Sequence, residues 1–288
     1  MIFLGTGASE MVPNPMCGCD VCRRALASAD PRDKRCRSAF LYDETTLIDC
    51  GPDVLGACGR FGVSLRNLKR IFITHTHSDH FAHVTLENLQ MCITEAPEIE
   101  IYVSPAAYEG MQRLGKLMLD ADITHIDTWS KRWPNRCTFL PFEPFRKYQF
   151  EDGLTVSAVV GRHVGEVKGE ESLNYLFEKD GSRLYYASDT GVFYPETFTY
   201  LQDKKLDTLV IECAFGKREI PRDKGHLYLA TLYEMIESMA AQDTVTSSTR
   251  IFVTHVGHKG GMLHEELDAE LKMRYGDQIA AAYDGLQV

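Results

Sequence analysis

The run THTHSDH at residues 74–80 puts His75, His77, Asp79 and His80 within six positions, directly after the apolar stretch RIFI. Imidazole and carboxylate are ordinary ligands of zinc and other first-row divalent metals. In an extended chain, residues two apart project the same way, so His75 and His77 at a strand end can serve one ion. Asp79 and His80 follow as the chain turns into a helix and can serve a second. The plain alternative, a polar loop with incidental histidines, does not explain four such groups beside a core strand. Three more candidate ligands end apolar β-runs: His163 after LTVSAVVGR, Asp189 after RLYYAS and His255 after RIFVT. Any one alone reads as a satisfied turn residue. Their recurrence in the same kind of place makes them one set.

A second constellation is CGCDVC, with Cys17, Cys19 and Cys22. Three thiolates at this spacing can converge on one tetrahedral zinc, and a fourth ligand, Cys or His, is still required. His258 lies three residues beyond His255, in THVGH, and can face away from the first cluster. A Cys3His site is closed, hence structural, so residues 16–23 read as a structural zinc loop.

The elements that must position these groups are short β-rich runs alternating with helix-like stretches. MIFLG, SAFLYDETTLIDC, KRIFITH, IEIYVSP, LTVSAVVG, NYLFEKDGSRLYYASD, DTLVIEC and RIFVTH read as strands, with Asp180-Gly181 as a hairpin turn. Helical periodicity falls near 80–93, 105–119, 227–240 and 263–275. The expectation is one α/β domain over residues 1–288, built from two β-halves, with 120–150 as an insertion or a lid.

Composition narrows the function. The net charge of −10 argues against a long nucleic-acid surface, because Lys and Arg drive phosphate-backbone binding. No apolar run approaches a membrane span, and the N-terminus lacks a signal-like pattern. Nine cysteines, an odd count with three in one loop, fit thiol–metal chemistry in a reducing compartment better than disulfides. A soluble, cytoplasmic protein is expected.

THTHSDH, the earlier TLIDCG and the later ASDTG and FVTHVGH together resemble the metallo-β-lactamase superfamily over nearly the whole chain. The resemblance implies an αββα four-layer sandwich with a dinuclear site at the edge of its two sheets. It implies that His75, His77 and His163 hold one divalent metal, that Asp79, His80 and His255 hold the other, and that Asp189 bridges them. Asp49 would orient the metal loop from behind, although an Asp before Gly51-Pro52 is also a simple turn initiator. The thiol loop paired with a terminal THxGH resembles the PhnP-like phosphodiesterase branch, which hydrolyses 5-phosphoribosyl 1,2-cyclic phosphate. That branch is related to the tRNA 3′-processing endonucleases, whose long basic arm is absent here. PqqB-like proteins carry a similar thiol loop.

The implied activity is metal-dependent hydrolysis of a small phosphodiester, a cyclic ribose phosphate or a nucleotide-like compound, by a metal-activated hydroxide between two zinc or manganese ions. One further zinc is expected in the thiol loop. Asp79 is both ligand and catalytic residue. His226, in RDKGHLYLA, matches the family's proton donor to the leaving alkoxide; otherwise it is a helix-entry histidine facing water. The alternatives on the same scaffold are an acyl hydrolase (thioesterase, lactonase or β-lactamase) and a PqqB-like cofactor-pathway protein. A homodimer stays open, since superfamily members often dimerise while nothing in this sequence reads as an interface. Glu212 reads either as a ligand orienter or as a satisfied strand-end carboxylate. The run RDKRCR (32–37) reads as a solvated basic turn or an anion contact, His83 as a surface or supporting group, and His125 and His264 as ordinary.

Overall fold

The computed structural model describes residues 1–120 and 136–288. Its first sheet runs β1 (Ile2–Gly5), β2 (Ala39–Asp43), β3 (Thr46–Ile48), β4 (Arg70–Phe72), β5 (Ile99–Val103), β6 (Cys137–Pro141) in that spatial order. The second is ordered β13 (Ile279–Ala281), β12 (Arg250–Thr254), β11 (Thr208–Glu212), β10 (Ser182–Ala187), β9 (Glu171–Lys179), β8 (Thr155–Val164), β7 (Lys147–Gln149). β3 to β6 are mutually parallel, and so are β10 to β13.

Strand alternation assigns the layers. In β2, Phe40 faces the other sheet while Ala39 and Leu41 face helices. In β10, Leu184 and Tyr186 point between the sheets while Tyr185 and Ala187 point outward. The inter-sheet layer is aromatic: the Phe72 ring lies 5.0 to 5.6 Å from those of Tyr102, Phe142, Tyr175 and Phe177. Truncating so enclosed a ring to alanine costs about 3–5 kcal/mol. Outside the first sheet pack α2 (Val54–Phe61), α3 (His83–Leu89) and α4 (Pro105–Asp120). Outside the second pack α5 (Pro195–Leu201), α6 (Leu229–Ala240) and α7 (His264–Tyr275). This is the expected αββα sandwich. Among the described residues no helix is long and apolar enough to cross a membrane.

Several elements depart from expectation. SAFLYDETTLIDC is not one strand but the β2–β3 hairpin, because Asp43 turns the chain by accepting from Thr45 N and Oγ1. The helix expected from residue 80 begins at His83, since residues up to Ala82 are spent in the loop that carries the histidines. Of the stretch read as an insertion or lid, residues 137–141 and 147–149 form β6 and β7, the edge strands of the two sheets. Residues 121–135 of that stretch, and with them His125, lie outside the described residues. α1 (Asp20–Ala27), α2 and α5 were not anticipated.

Candidate metal centres

The parallel strands end on one rim of the sandwich, where α/β sheets collect their ligands. Asp49 follows β3, the histidine loop follows β4, Asp189 follows β10, and His255 follows β12. His163 lies near the end of β8, inside the strand rather than beyond it. Asp49, Asp189 and His255 have φ of 62°, 49° and 53°. This left-handed backbone costs a non-glycine residue roughly 1–2 kcal/mol, the kind of strain that gathers at functional sites.

His75 and His77 stand in the loop after β4, not in the strand itself, because the chain turns on Thr74. Thr74 N and Oγ1 donate to Asp49 Oδ1 at 2.8 and 3.0 Å. Buried Glu170 accepts from Thr76 N at 3.0 Å and from its hydroxyl. His80 N and Phe81 N both donate to His77 O at 2.9 Å, closing the loop. The loop so held brings His75 Nε2 to 2.9 Å and His163 Nε2 to 3.2 Å from His77 Nδ1. A second group lies alongside: His80 Nε2 is 3.1 Å from Asp79 Oδ2 and 2.8 Å from Asp189 Oδ2. His255 Nε2 is 3.1 Å from Asp189 Oδ1, which is also 3.9 Å from His163 Nε2. Asp189 thus stands between the two groups.

The donor chemistry fits cations. His80 Nδ1 lies 2.6 Å from Asp49 Oδ2, His163 Nδ1 lies 3.0 Å from Gly225 O, and His255 Nδ1 lies 2.9 Å from Ser38 Oγ, whose own proton goes to Gly7 O. Carboxylate and carbonyl oxygens only accept, so each ring carries its proton on Nδ1 and turns the Nε2 lone pair inward. Lone pairs facing lone pairs and carboxylates at about 3 Å repel unless positive charge lies between them. His80 Nε2, fully buried, faces only the carboxylates of Asp79 and Asp189. Burial disfavours charge on His80, yet Asp79, Asp189 and Asp49 outweigh it and hold its pKa well above the ordinary value. The site therefore draws positive charge to this spot. Gly225 is required for the arrangement: its φ is +74°, and a Cβ there would lie 2.8 Å from His163 Nδ1.

His226 completes the rim. Its Nδ1 is 3.1 Å from Glu212 Oε2 and 3.3 Å from Asp189 Oδ1. Burial lowers the tendency of His226 to be charged, but the charge and hydrogen bond of Glu212, with Asp189, raise its pKa to about 9. Glu212 Oε1 also accepts from Thr190 N at 2.9 Å and Gly191 N at 3.1 Å. Glu212 is thus a satisfied strand-end carboxylate, and the ring it orients is that of His226 rather than one of the candidate ligands. His226 lines a cleft of about 280 Å³ together with His77, Asp79, His163, Asp189 and His255.

The thiol loop and His258 also meet: His258 Nδ1 is 3.4, 3.3 and 3.3 Å from the Sγ atoms of Cys17, Cys19 and Cys22. Asn14 N and Cys22 N point at sulfurs, at 3.3 Å to Cys22 and 3.4 Å to Cys19. Glu10 Oε1 lies 3.4 Å from His258 Nε2 and orients the ring from behind. Four soft or borderline donors around one point suit a tetrahedral zinc.

Glu10, Ser38, Thr74, Glu170 and Gly225 support the site without having been singled out in the sequence. The arginines of RDKRCR neither form a solvated turn nor reach the cleft. Arg32 pairs with Asp30, Arg37 with Asp53, and buried Arg35 donates to Thr6 Oγ1 and Ala282 O. His83, at the start of α3, and Cys92 are both exposed.

The chain belongs to the β-lactamase superfamily: the model of its domain, the beta-lactamase superfamily domain, matches residues 44–253. Its fold is similar to that of a diphosphatase from the PhnP family, with TM-score 0.71 and 21% identity over 100% of this chain and 96% of that one. It is similar to zinc-bound PqqB from Methylobacterium extorquens, with TM-score 0.70 and 16% identity over 99% and 98%. It also resembles the short form of human tRNase Z, with TM-score 0.59 and 17% identity over 99% and 96%. An octanoyltransferase of Porphyromonas gingivalis is 39% identical over 83 residues, 27% of this chain but only 16% of that protein.

Proposed function

We propose that the chain is a metal-dependent phosphodiesterase for small phosphodiesters. His75, His77 and His163 would hold one divalent cation, Asp79, His80 and His255 a second, with Asp189 shared, and Cys17, Cys19, Cys22 and His258 a structural zinc. Divalent cations at the paired site supply Lewis-acid charge that polarises a phosphoryl oxygen and a water.

The observation that carries the reading is the His226–Glu212 pair at the cleft. An alkoxide is a poor leaving group and needs a proton as it departs. Glu212 holds Nδ1 of His226 and raises the pKa of the ring to about 9, so a cleft-lining imidazole carries a proton to give. A thiolate leaves without a proton, so a thioesterase leaves the pair without a purpose, whereas a lactone releases an alkoxide and is separated from a phosphodiester only by direct assay. A small substrate suits the cleft volume, and the net charge of −10 disfavours long RNA. The likeness to a PhnP-family diphosphatase agrees with phosphoester chemistry; the likeness to PqqB keeps a cofactor-pathway role as the second reading.

The test is turnover of bis(p-nitrophenyl) phosphate by manganese- or zinc-loaded protein beside a thioester and a lactone. Diester cleavage without acyl cleavage is expected. Acyl cleavage alone would replace the reading, and no cleavage with metals bound would favour the PqqB-like role.

A further inference from the structure

His258 opens a single 3-10 turn, His258–Gly260, while its Nδ1 faces the sulfurs of Cys17, Cys19 and Cys22. The far end of that turn packs on residues 213–217, the segment that follows β11. Backbone hydrogen bonds stitch this segment to the chain on either side of the turn. Cys213 N donates to Thr254 O at 3.0 Å, Gly257 N to Ala214 O at 3.1 Å and Lys217 N to Gly260 O at 3.1 Å. On its other side the same segment holds the residues just beyond His226. Phe215 N donates to Leu227 O at 3.1 Å, and Leu229 N donates to Gly216 O at 2.8 Å. The Phe215 ring centre stands 5.7 Å from that of His226. Residues 213–217 are thus a spacer, one chain thick, between the thiol turn and the proton donor.

The contact across the spacer leaves no room for side chains. A Cβ on Gly260 would lie 2.9 Å from Gly216 N and 3.0 Å from Phe215 C, and one on Gly216 would lie 2.6 Å from Gly260 O. Backbone packed on backbone has no rotamer to absorb a displacement, so a shift of the turn passes to Phe215 and Gly216. Their hydrogen bonds carry it on to Leu227 and Leu229. The candidate ligands have separate ties: the histidine loop hangs on Asp49 and Glu170, and His255 on Ser38.

We infer that Gly260 and Gly216 are positioning residues, through whose contact the Cys3His cluster sets where His226 stands and so governs proton delivery to the leaving group. The inference rests on the phosphodiesterase reading for the role of His226; the mechanical link from thiol turn to His226 does not need it. It makes the thiol site more than a staple for the N-terminal loop.

The experiment compares two substrates of the metal-loaded protein that differ in their leaving group. Thymidylyl-thymidine releases an alkoxide, and thymidine 5′-(p-nitrophenyl phosphate) releases a stable phenolate. Gly260→Ala wedges a methyl group against Gly216 and leaves the four side chains of the thiol site in place. It is expected to slow the dinucleotide about 10- to 100-fold, as misplacement of a reacting group by about 1 Å does, and the p-nitrophenyl ester by less than about threefold, since that leaving group needs no proton. In a His226→Ala background the same substitution is expected to add less than about twofold, because the group it misplaces is gone. Equal losses on the two substrates, or a loss undiminished without His226, refute the link and leave the phosphodiesterase reading standing. A second arm needs no turnover. Amide hydrogen exchange is expected to quicken about tenfold across residues 213–229 in both Gly260→Ala and Cys17→Ser, and to stay unchanged across residues 70–82. Unchanged exchange across 213–229 overturns the inference. Quickened exchange there, in a protein whose wild type cleaves neither substrate, refutes the phosphodiesterase reading and upholds the link.

Discussion

His80 Nδ1 and Asp49 Oδ2 lie 2.6 Å apart with both side chains wholly out of solvent. The other oxygen of Asp49 accepts from Thr74, so one carboxylate fixes both the course of the histidine loop and the tautomer of a candidate ligand within it. An amide cannot accept on both sides. Asp49→Asn should either lose the Thr74 anchor or drive the His80 proton to Nε2, erasing the inward lone pair. The expected loss in metal affinity is about 10–100-fold, read by competition with a chromogenic chelator. Unchanged affinity in a folded variant contradicts the role given to Asp49.

His226 is expected to matter in proportion to the need of the leaving group for a proton. His226→Ala should slow cleavage of an alkyl diester by about 10²–10⁴-fold and slow p-nitrophenyl diesters far less, with metal content unchanged. Equal losses for both substrates would make the residue a positioning group, and loss of metal would make it a ligand.

The thiol cluster is expected to act on stability. Cys17→Ser should lower zinc content by one ion per chain, measured by atomic emission. It should also lower the melting temperature by about 5 °C or more, which for a chain of this size corresponds to a few kcal/mol. A variant with full zinc and an unchanged melting temperature would remove the site from the account.

His264, away from the cleft, gives a pH prediction. Its Nδ1 lies 3.1 Å from buried Arg35 Nη2, which can only donate, so the imidazole is neutral in the fold. Burial, then the charges of Arg35 and Arg32, lower its pKa to about 4, against 6.5 for the free group. The unfolded chain therefore binds a proton here at a higher pH than the folded one does. Stability should fall as pH drops through this window, by up to about 1.4 kcal/mol per pH unit from this group. Denaturant unfolding at several pH values should show a shallower slope in His264→Gln, and an equal slope would contradict the assignment.

The candidate ligands stood out in the sequence because metal chemistry needs rare side chains at fixed spacing, and the fold gathers them into two clusters that could hold metal. The long, strongly periodic helices α4, α6 and α7 were legible for a similar reason, since several turns repeat one pattern. α1 and α2 hold eight residues each and α5 seven, too few for periodicity to stand out. The groups that aim the ligands were the least legible. Ser38 meets His255 across 217 residues and Glu10 meets His258 from the far end of the chain, so nothing local in either stretch marks the partnership. Arg35 shows the converse, a basic run that reads as surface until His264 and Thr6 enclose it.

If the inward lone pairs on the two adjoining groups of side chains hold two cations, anomalous diffraction at the manganese and zinc edges from metal-loaded crystals should place them. One peak is expected among His75, His77 and His163 and a second among Asp79, His80 and His255, with Asp189 reaching both. A third, zinc-only peak is expected among Cys17, Cys19, Cys22 and His258. A single peak at the histidine cluster, or none in protein shown to be folded and loaded, would rule out the two-cation centre.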